Sequence, residues 1–283
     1  MARVATADGY AVHAEAHGDG PPIVFSCALA TTRENWRPQV APLVAAGMRV
    51  VLWDYRGHGR SDAPDDPSAY SVERVVDDLA RVLDFAAPGE PAVLAGLSFG
   101  GLASLHLALR EPARARALVL VGSGPGFKNP DAQVRWEAMV ERTACFVETK
   151  GMRAFVDSRA SATVVGLHPD TPAARAAADA IAEQTPYGVA RFARRIAGPA
   201  PPVLDRLGEI RVPALVMVGE RDEQFLRAAD VMAARLPLVS RVVFPGAGHI
   251  LNLDVPEAFD AALLAFLAEH GIAPRAAVRA AGA

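Results

Sequence analysis

The chain has 283 residues, 51% of them hydrophobic and 22% charged, a balance that fits a folded globular protein and excludes a disordered chain. Lys and Arg number 29 against 32 Asp and Glu, a net charge of −3, so nothing in the charge points to nucleic acid or an acidic membrane surface. No apolar run approaches the roughly 18 residues of a membrane helix, and two cysteines, Cys27 and Cys145, make no disulfide framework.

The stretch Met1 to Tyr10 lacks the unbroken apolar core of a signal peptide, so a cytoplasmic location is expected. Residues 1–17, with the turn Asp8-Gly9, read as a β-hairpin. His13, Glu15 and His17 share one face of its second strand, expected to be the polar solvent face of an edge strand rather than a metal site. After Gly20-Pro21-Pro22, the run Ile23-Val24-Phe25 suits a buried strand. A helix-like segment from Trp36 to Ala46 follows, then a second buried strand, Arg49 to Trp53. Ser71 to Phe85 has helical periodicity, with Val72, Val75, Val76, Leu79 and Leu83 on one stripe.

Ala92 to Ala95 leads as a strand into Gly96-Leu97-Ser98-Phe99-Gly100, and Leu102 to Leu109 leaves it as a helix. Gly-x-Ser-x-Gly between strand and helix is the nucleophile-elbow pattern. A serine on so tight a turn has strained backbone angles, and its neighbours must lie close to the adjacent elements, which residues without a Cβ tolerate. Strands 117–121, 214–218 and 241–244 and a helix from Pro256 to Ala268 complete an alternating pattern. That alternation predicts an α/β fold: a mostly parallel, doubly wound sheet of about eight strands. The interval of about ninety residues before Ala214 is far longer than an ordinary connection. It holds helical segments near 130–148, 151–160, 171–184 and 188–197. The expected organisation is a core (1–123), an inserted helical lid or cap (124–208), the rest of the core (209–272) and a flexible tail (273–283).

A serine hydroxyl is a weak nucleophile until a base takes its proton and a carboxylate fixes the tautomer of that base. In a doubly wound sheet such partners should follow the carboxyl ends of later strands. Gly219-Glu220-Arg221-Asp222 follows one, and Pro245-Gly246-Ala247-Gly248-His249 follows the next. The expected catalytic residues are therefore Ser98, Asp222 and His249, with Glu220 and Glu223 as competitors for the acid. A developing oxyanion needs two N–H donors, worth roughly 3–4 kcal/mol each. Phe99 should supply one, and the loop Ser26 to Thr32 the other, at Ala28 with Cys27 as runner-up.

Asp54 to Asp62, the Gly96–Gly100 elbow, Gly219–Asp222 and Gly248-His249 resemble landmarks of the α/β-hydrolase superfamily over almost the whole chain. The Ser26-to-Trp36 spacing, followed by Arg37-Pro38-Gln39, is similar to 3-oxoadipate enol-lactonases, which tend to carry Ser-Asn-Ser where this chain has Ser26-Cys27-Ala28. The resemblance implies a structural, sheet-bracing role for Arg56, His58 and Gly59. It also disfavours the dehalogenases and epoxide hydrolases, whose nucleophile is aspartate. The expected activity is hydrolysis of a small or medium, mostly apolar ester or lactone through an acyl-enzyme. No cofactor, metal, nucleic-acid or membrane partner is expected, and the chain should act as a monomer or homodimer. Carbon–carbon bond hydrolysis or perhydrolysis with the same triad is the alternative, and a non-catalytic small-molecule receptor the lower one. Leu29, Trp36, Trp136, Phe146, Tyr187 and Ile250 are the expected substrate-pocket residues.

Overall fold

In the computed structural model, which describes residues 2–273, the chain opens with the antiparallel pair β1 (Ala2–Ala5) and β2 (Ala11–His17). Strand β3 (Pro22–Ser26) is buried throughout. A 3-10 turn (Arg33–Gln39), capped by Thr32, follows and runs into the short α1 (Val40–Ala45). The helix expected over 36–46 is thus broken in two, because Pro38 lies inside it and lacks a donor for the helical ladder. The chain continues through β4 (Arg49–Trp53), α2 (Val72–Ala86), β5 (Ala92–Leu97), α3 (Phe99–Arg110) and β6 (Ala115–Val121). Helix α2 starts on Ser71, whose side chain accepts the Arg74 N–H, and buries the expected stripe Val72, Val75, Val76, Leu79 and Leu83.

After β6 come α4 (Pro130–Val156), α5 (Pro172–Ala182) and α6 (Pro186–Phe192), each with proline in its first turn, where a missing N–H costs nothing. Gly151, at φ 83°, kinks α4. The core resumes with β7 (Ala214–Gly219), α7 (Glu223–Arg235), β8 (Val239–Phe244), α8 (Leu251–Asp254) and α9 (Pro256–Glu269). The sheet order is β1-β2-β4-β3-β5-β6-β7-β8, antiparallel at the first two pairings and parallel from β4 onward. Chain order reverses at β3, between β4 and β5, and a crevice outside the carboxyl ends at such a switch point is where a doubly wound sheet binds ligand. The registers Ser26 with Gly96, Leu97 with Val121 and Gly219 with Phe244 bring those ends to one edge.

The face carrying His13, Glu15 and His17 is not the open edge expected of it. Strand β1 is the edge, and His13 and Glu15 are buried beneath the 3-10 turn. Glu15 pairs with Arg37 and with Arg33 (3.3 Å), and Arg33 also meets Asp54 at 2.7 Å. Arg56, by contrast, braces the sheet as expected. Its guanidinium makes a fork on Asp78 of α2 (2.6 and 2.7 Å) and reaches Asp8 in the β1–β2 turn at 2.8 Å. The tail expected from 273 onward lies, beyond Ala273, outside the described residues. Among the described residues, no helix is long and apolar enough to cross a membrane.

Candidate active site

Ser98 joins β5 to α3 at φ 54° and ψ −118°, a conformation that costs a non-glycine residue about 1–3 kcal/mol. Its neighbours hold it there. The Ser98 N–H donates to Val121 O (2.8 Å), and Ser98 O accepts from the Ser123 hydroxyl (2.7 Å) and the Gly101 N–H (3.0 Å). A Cβ on Gly96 would sit 2.1 Å from the carbonyl carbon of Gly100, and one on Gly100 would sit 2.4 Å from Ser26 O. The two glycines of the motif are therefore a steric requirement of the turn.

The turns after β7 and β8 meet backbone to backbone. A Cβ on Gly219 would lie 2.2 Å from Gly248 O, and the Arg221 N–H donates to Ala247 O at 2.9 Å. This contact brings Asp222 beside His249, where Asp222 Oδ2 lies 2.7 Å from Nδ1. In the tautomer whose Nδ1–H donates a hydrogen bond to this carboxylate, the imidazole presents Nε2 as an acceptor. Phe225 stacks on the same ring, with centroids 5.0 Å apart. Glu220 instead accepts the Gly246 N–H (2.9 Å), and Glu223 is exposed at the start of α7.

Ser98 lies between two cavities. The larger, about 260 Å³, has Leu29, Met139, Phe155, Asp222 and His249 in its wall. The smaller, about 70 Å³, runs past Phe99 and Leu102 to Gly124, Phe127 and Ala228. Trp136, Gln224 and Phe225 line both, and no Lys or Arg among the described residues lines either.

The Ala28 N–H, the expected second oxyanion donor, is already given to Thr31 Oγ1 at 2.9 Å. The next N–H, that of Leu29, has no partner among the described residues, and neither does that of Phe99. Because Thr31 folds back on Ala28, two donors of this loop are left without a partner among the described residues: that of Leu29, which lines the larger cavity with Ser98, and that of the runner-up Cys27, which lines neither cavity. Cys27 is a buried thiol against Trp53 O (3.5 Å), and burial pushes it well above the usual thiol range. His58 accepts the Ala30 N–H at Nε2 (3.1 Å), and burial holds its pKa down at about 4, so it is a neutral brace for the loop.

Of the expected pocket residues, Leu29 and Trp136 line the cavities. Trp36 does not. It is fully buried against Phe25 and Phe259, with Nε1 donating to Ser26 O at 3.3 Å. Ile250 is buried outside the cavity walls, Phe146 backs Phe155 from behind, and Tyr187 is 59% exposed. Apolar character alone does not say which face of an element a side chain takes: in the helical segment between β6 and β7, Phe127, Trp136 and Phe155 line the cavities, whereas Phe146, Tyr187 and Phe192 do not. Gln224 and Phe225 were missed, although both follow the expected acid within three residues. Among the described residues no group of three or more His, Cys, Asp or Glu is placed to hold a metal ion.

A sequence profile of the alpha/beta hydrolase fold family matches residues 21–256. A putative carbamate hydrolase RutD from Variovorax paradoxus is 31% identical over 267 residues, covering 91% of this chain and 96% of its own. The 3-oxoadipate enol-lactonase 1 of Acinetobacter baylyi is 28% identical, over 85% of this chain and 86% of its own. Among solved structures, a thermophilic esterase from Thermogutta terrifontis superposes with a TM-score of 0.81 at 25% identity, covering 95% of this chain and 97% of its own.

Proposed function

The chain belongs to the α/β-hydrolase family, and on that premise we propose that it is a serine hydrolase of uncharged carboxylic esters or lactones. The observation that carries this reading is the meeting, in one cavity, of the strained Ser98 with a histidine already oriented by a carboxylate at 2.7 Å. His249 Nε2 takes the Ser98 proton as Oγ attacks the substrate carbonyl, and Asp222 stabilises the imidazolium that forms. The free N–H groups of Phe99 and Leu29 receive the negative charge on the carbonyl oxygen. His249 then returns the proton to the leaving oxygen. Water activated by the same nitrogen releases the acyl group from Ser98.

The two cavities divide the substrate. A general acid must lie beside the leaving oxygen, and His249 lines only the larger cavity, so that cavity takes the alcohol part. The smaller, apolar cavity past Phe99 and Leu102 takes a short acyl chain. With no Lys or Arg among the described residues in either wall, a substrate carboxylate finds no cationic partner there, which favours uncharged substrates over acids.

The test is a substrate panel: p-nitrophenyl acetate and butyrate, an uncharged γ-lactone, an N-aryl carbamate, a vinylogous diketone, and hydrogen peroxide with acetate. Turnover led by the short esters or the lactone supports the reading. Diketone cleavage or peracid formation without ester turnover would move the assignment to carbon–carbon hydrolysis or perhydrolysis, and carbamate turnover alone would displace the ester.

A further inference from the structure

Three side chains hold the Ala28–Ala30 corner of the loop after β3. Thr31 accepts the Ala28 N–H (2.9 Å) and donates its own hydroxyl to Ala28 O (3.0 Å). His58 Nε2 accepts the Ala30 N–H at 3.1 Å. The third belongs to the helical segment between β6 and β7. Gln184, in the turn between α5 and α6, donates from Nε2 to Ala30 O at 2.9 Å, and its Oε1 accepts the Gly59 N–H at 3.1 Å. Ala30 stands at φ 64°, a left-handed conformation that an alanine holds only under outside restraint. Its peptide groups are fixed on both sides, one by the core and one by the helical segment.

Gln184 has the character of a built contact. It is only 4% exposed, and neither polar atom of its amide is left unpaired. The segment is seated immediately beside it. A Cβ on Gly188 of α6 would lie 2.6 Å from Gly57 O, so backbone rests on backbone at this point. The segment therefore reaches the loop from a fixed base.

We propose that Gln184 is a positioning residue through which the helical segment holds the Leu29 N–H on the oxyanion of the reaction. The proposal rests on the reading of Ser98 as nucleophile and of Leu29 as the second donor. The chain of influence is short. Gln184 fixes the Ala30 carbonyl, and with the His58 bond this sets the Ala30 conformation. That conformation orients the Leu29–Ala30 corner against Ser98. Oxyanion donors act through placement, and an error of about 1 Å in a reacting group costs on the order of 100-fold.

Two variants isolate the contact. Gln184→Met keeps the length and loses both hydrogen bonds. Gln184→Glu keeps the acceptor for Gly59 but loses the donor to Ala30. With p-nitrophenyl acetate, kcat should fall about 10- to 100-fold in both while KM stays within about twofold. The affinity of a trifluoromethyl ketone, whose adduct carries the oxyanion, should fall by the same factor as kcat. In hydrogen exchange, peptides covering residues 26–34 should exchange faster in both variants than in the unaltered protein. Unchanged exchange over 26–34 overturns the proposal, whatever the activity. A loss shared between kcat and KM, with the ketone bound as before, overturns it equally and reduces Gln184 to packing. An unaltered protein that turns over no ester refutes the hydrolase reading by itself, and the exchange measurement still decides whether Gln184 holds the loop.

Discussion

At the scale of single residues, the proposed mechanism gives three groups whose removal should have different signatures. Ser98→Ala should lower kcat by on the order of 10⁴-fold or more with an unchanged melting temperature. Turnover within tenfold of the unaltered protein would remove Ser98 from the mechanism. Asp222→Asn should keep the fold and lose on the order of 10⁴-fold in kcat, because the amide favours the wrong imidazole tautomer. His58 should act on stability instead. Burial lowers its pKa to about 4, below the ordinary value near 6.5. Between those values the unfolded chain binds a proton that the folded chain refuses. His58 therefore favours unfolding progressively as pH falls from about 6.5 to 4, by up to about 3 kcal/mol. Burial lowers His13 and His106 in the same direction, so the effect of His58 is read by difference. Thermal melts of His58→Gln, which retains an acceptor for the Ala30 N–H, should depend less on pH across this window; equal slopes would contradict the assignment.

At the scale of elements, the fold was largely legible because strand-end punctuation in this chain is chemical. The elbow glycines, the Asp222 turn and the Gly248-His249 turn each follow a short apolar run, of four, five and three residues, so their meeting at one edge of a parallel sheet could be foreseen. The proposed second oxyanion donor could not. Which N–H stays free depends on Thr31 folding back onto Ala28, a contact that spacing does not reveal. The pocket aromatics were misplaced for a related reason. Trp36 lies in a 3-10 turn rather than a regular helix, and its ring turns inward to Phe25. Two element-level changes test the packing. Gly96→Ala should abolish soluble expression, since its Cβ would overlap the α3 backbone at 2.1 Å and no flexible side chain can move aside. Asp254 accepts the N–H groups of Gly248 (2.8 Å) and Leu167 (2.6 Å), tying the histidine loop to the helical segment. Asp254→Asn should cost about 1–3 kcal/mol in chemical denaturation, because an amide cannot accept on both atoms. No change in the denaturation midpoint would show that the clamp is dispensable.

At the scale of the whole molecule, the helical segment between β6 and β7 supplies more than cover. It contributes Trp136, Met139 and Phe155 to the cavities, and polar contacts join it to both functional loops. The proposed division of the substrate between two cavities belongs to this scale. Ala228→Phe should narrow the smaller cavity and shift preference from p-nitrophenyl butyrate toward acetate by about tenfold in kcat/KM, as methylene-sized discrimination allows. An unchanged ratio would place the acyl chain elsewhere. The central claim is that Ser98 is the activated nucleophile, and the most direct measurement is reaction with a fluorophosphonate, located by mass spectrometry of the digested protein. The expected result is a single adduct on Ser98, formed in step with loss of ester turnover and absent from His249→Ala. Labelling at another residue, or full turnover in protein labelled at Ser98, would contradict it.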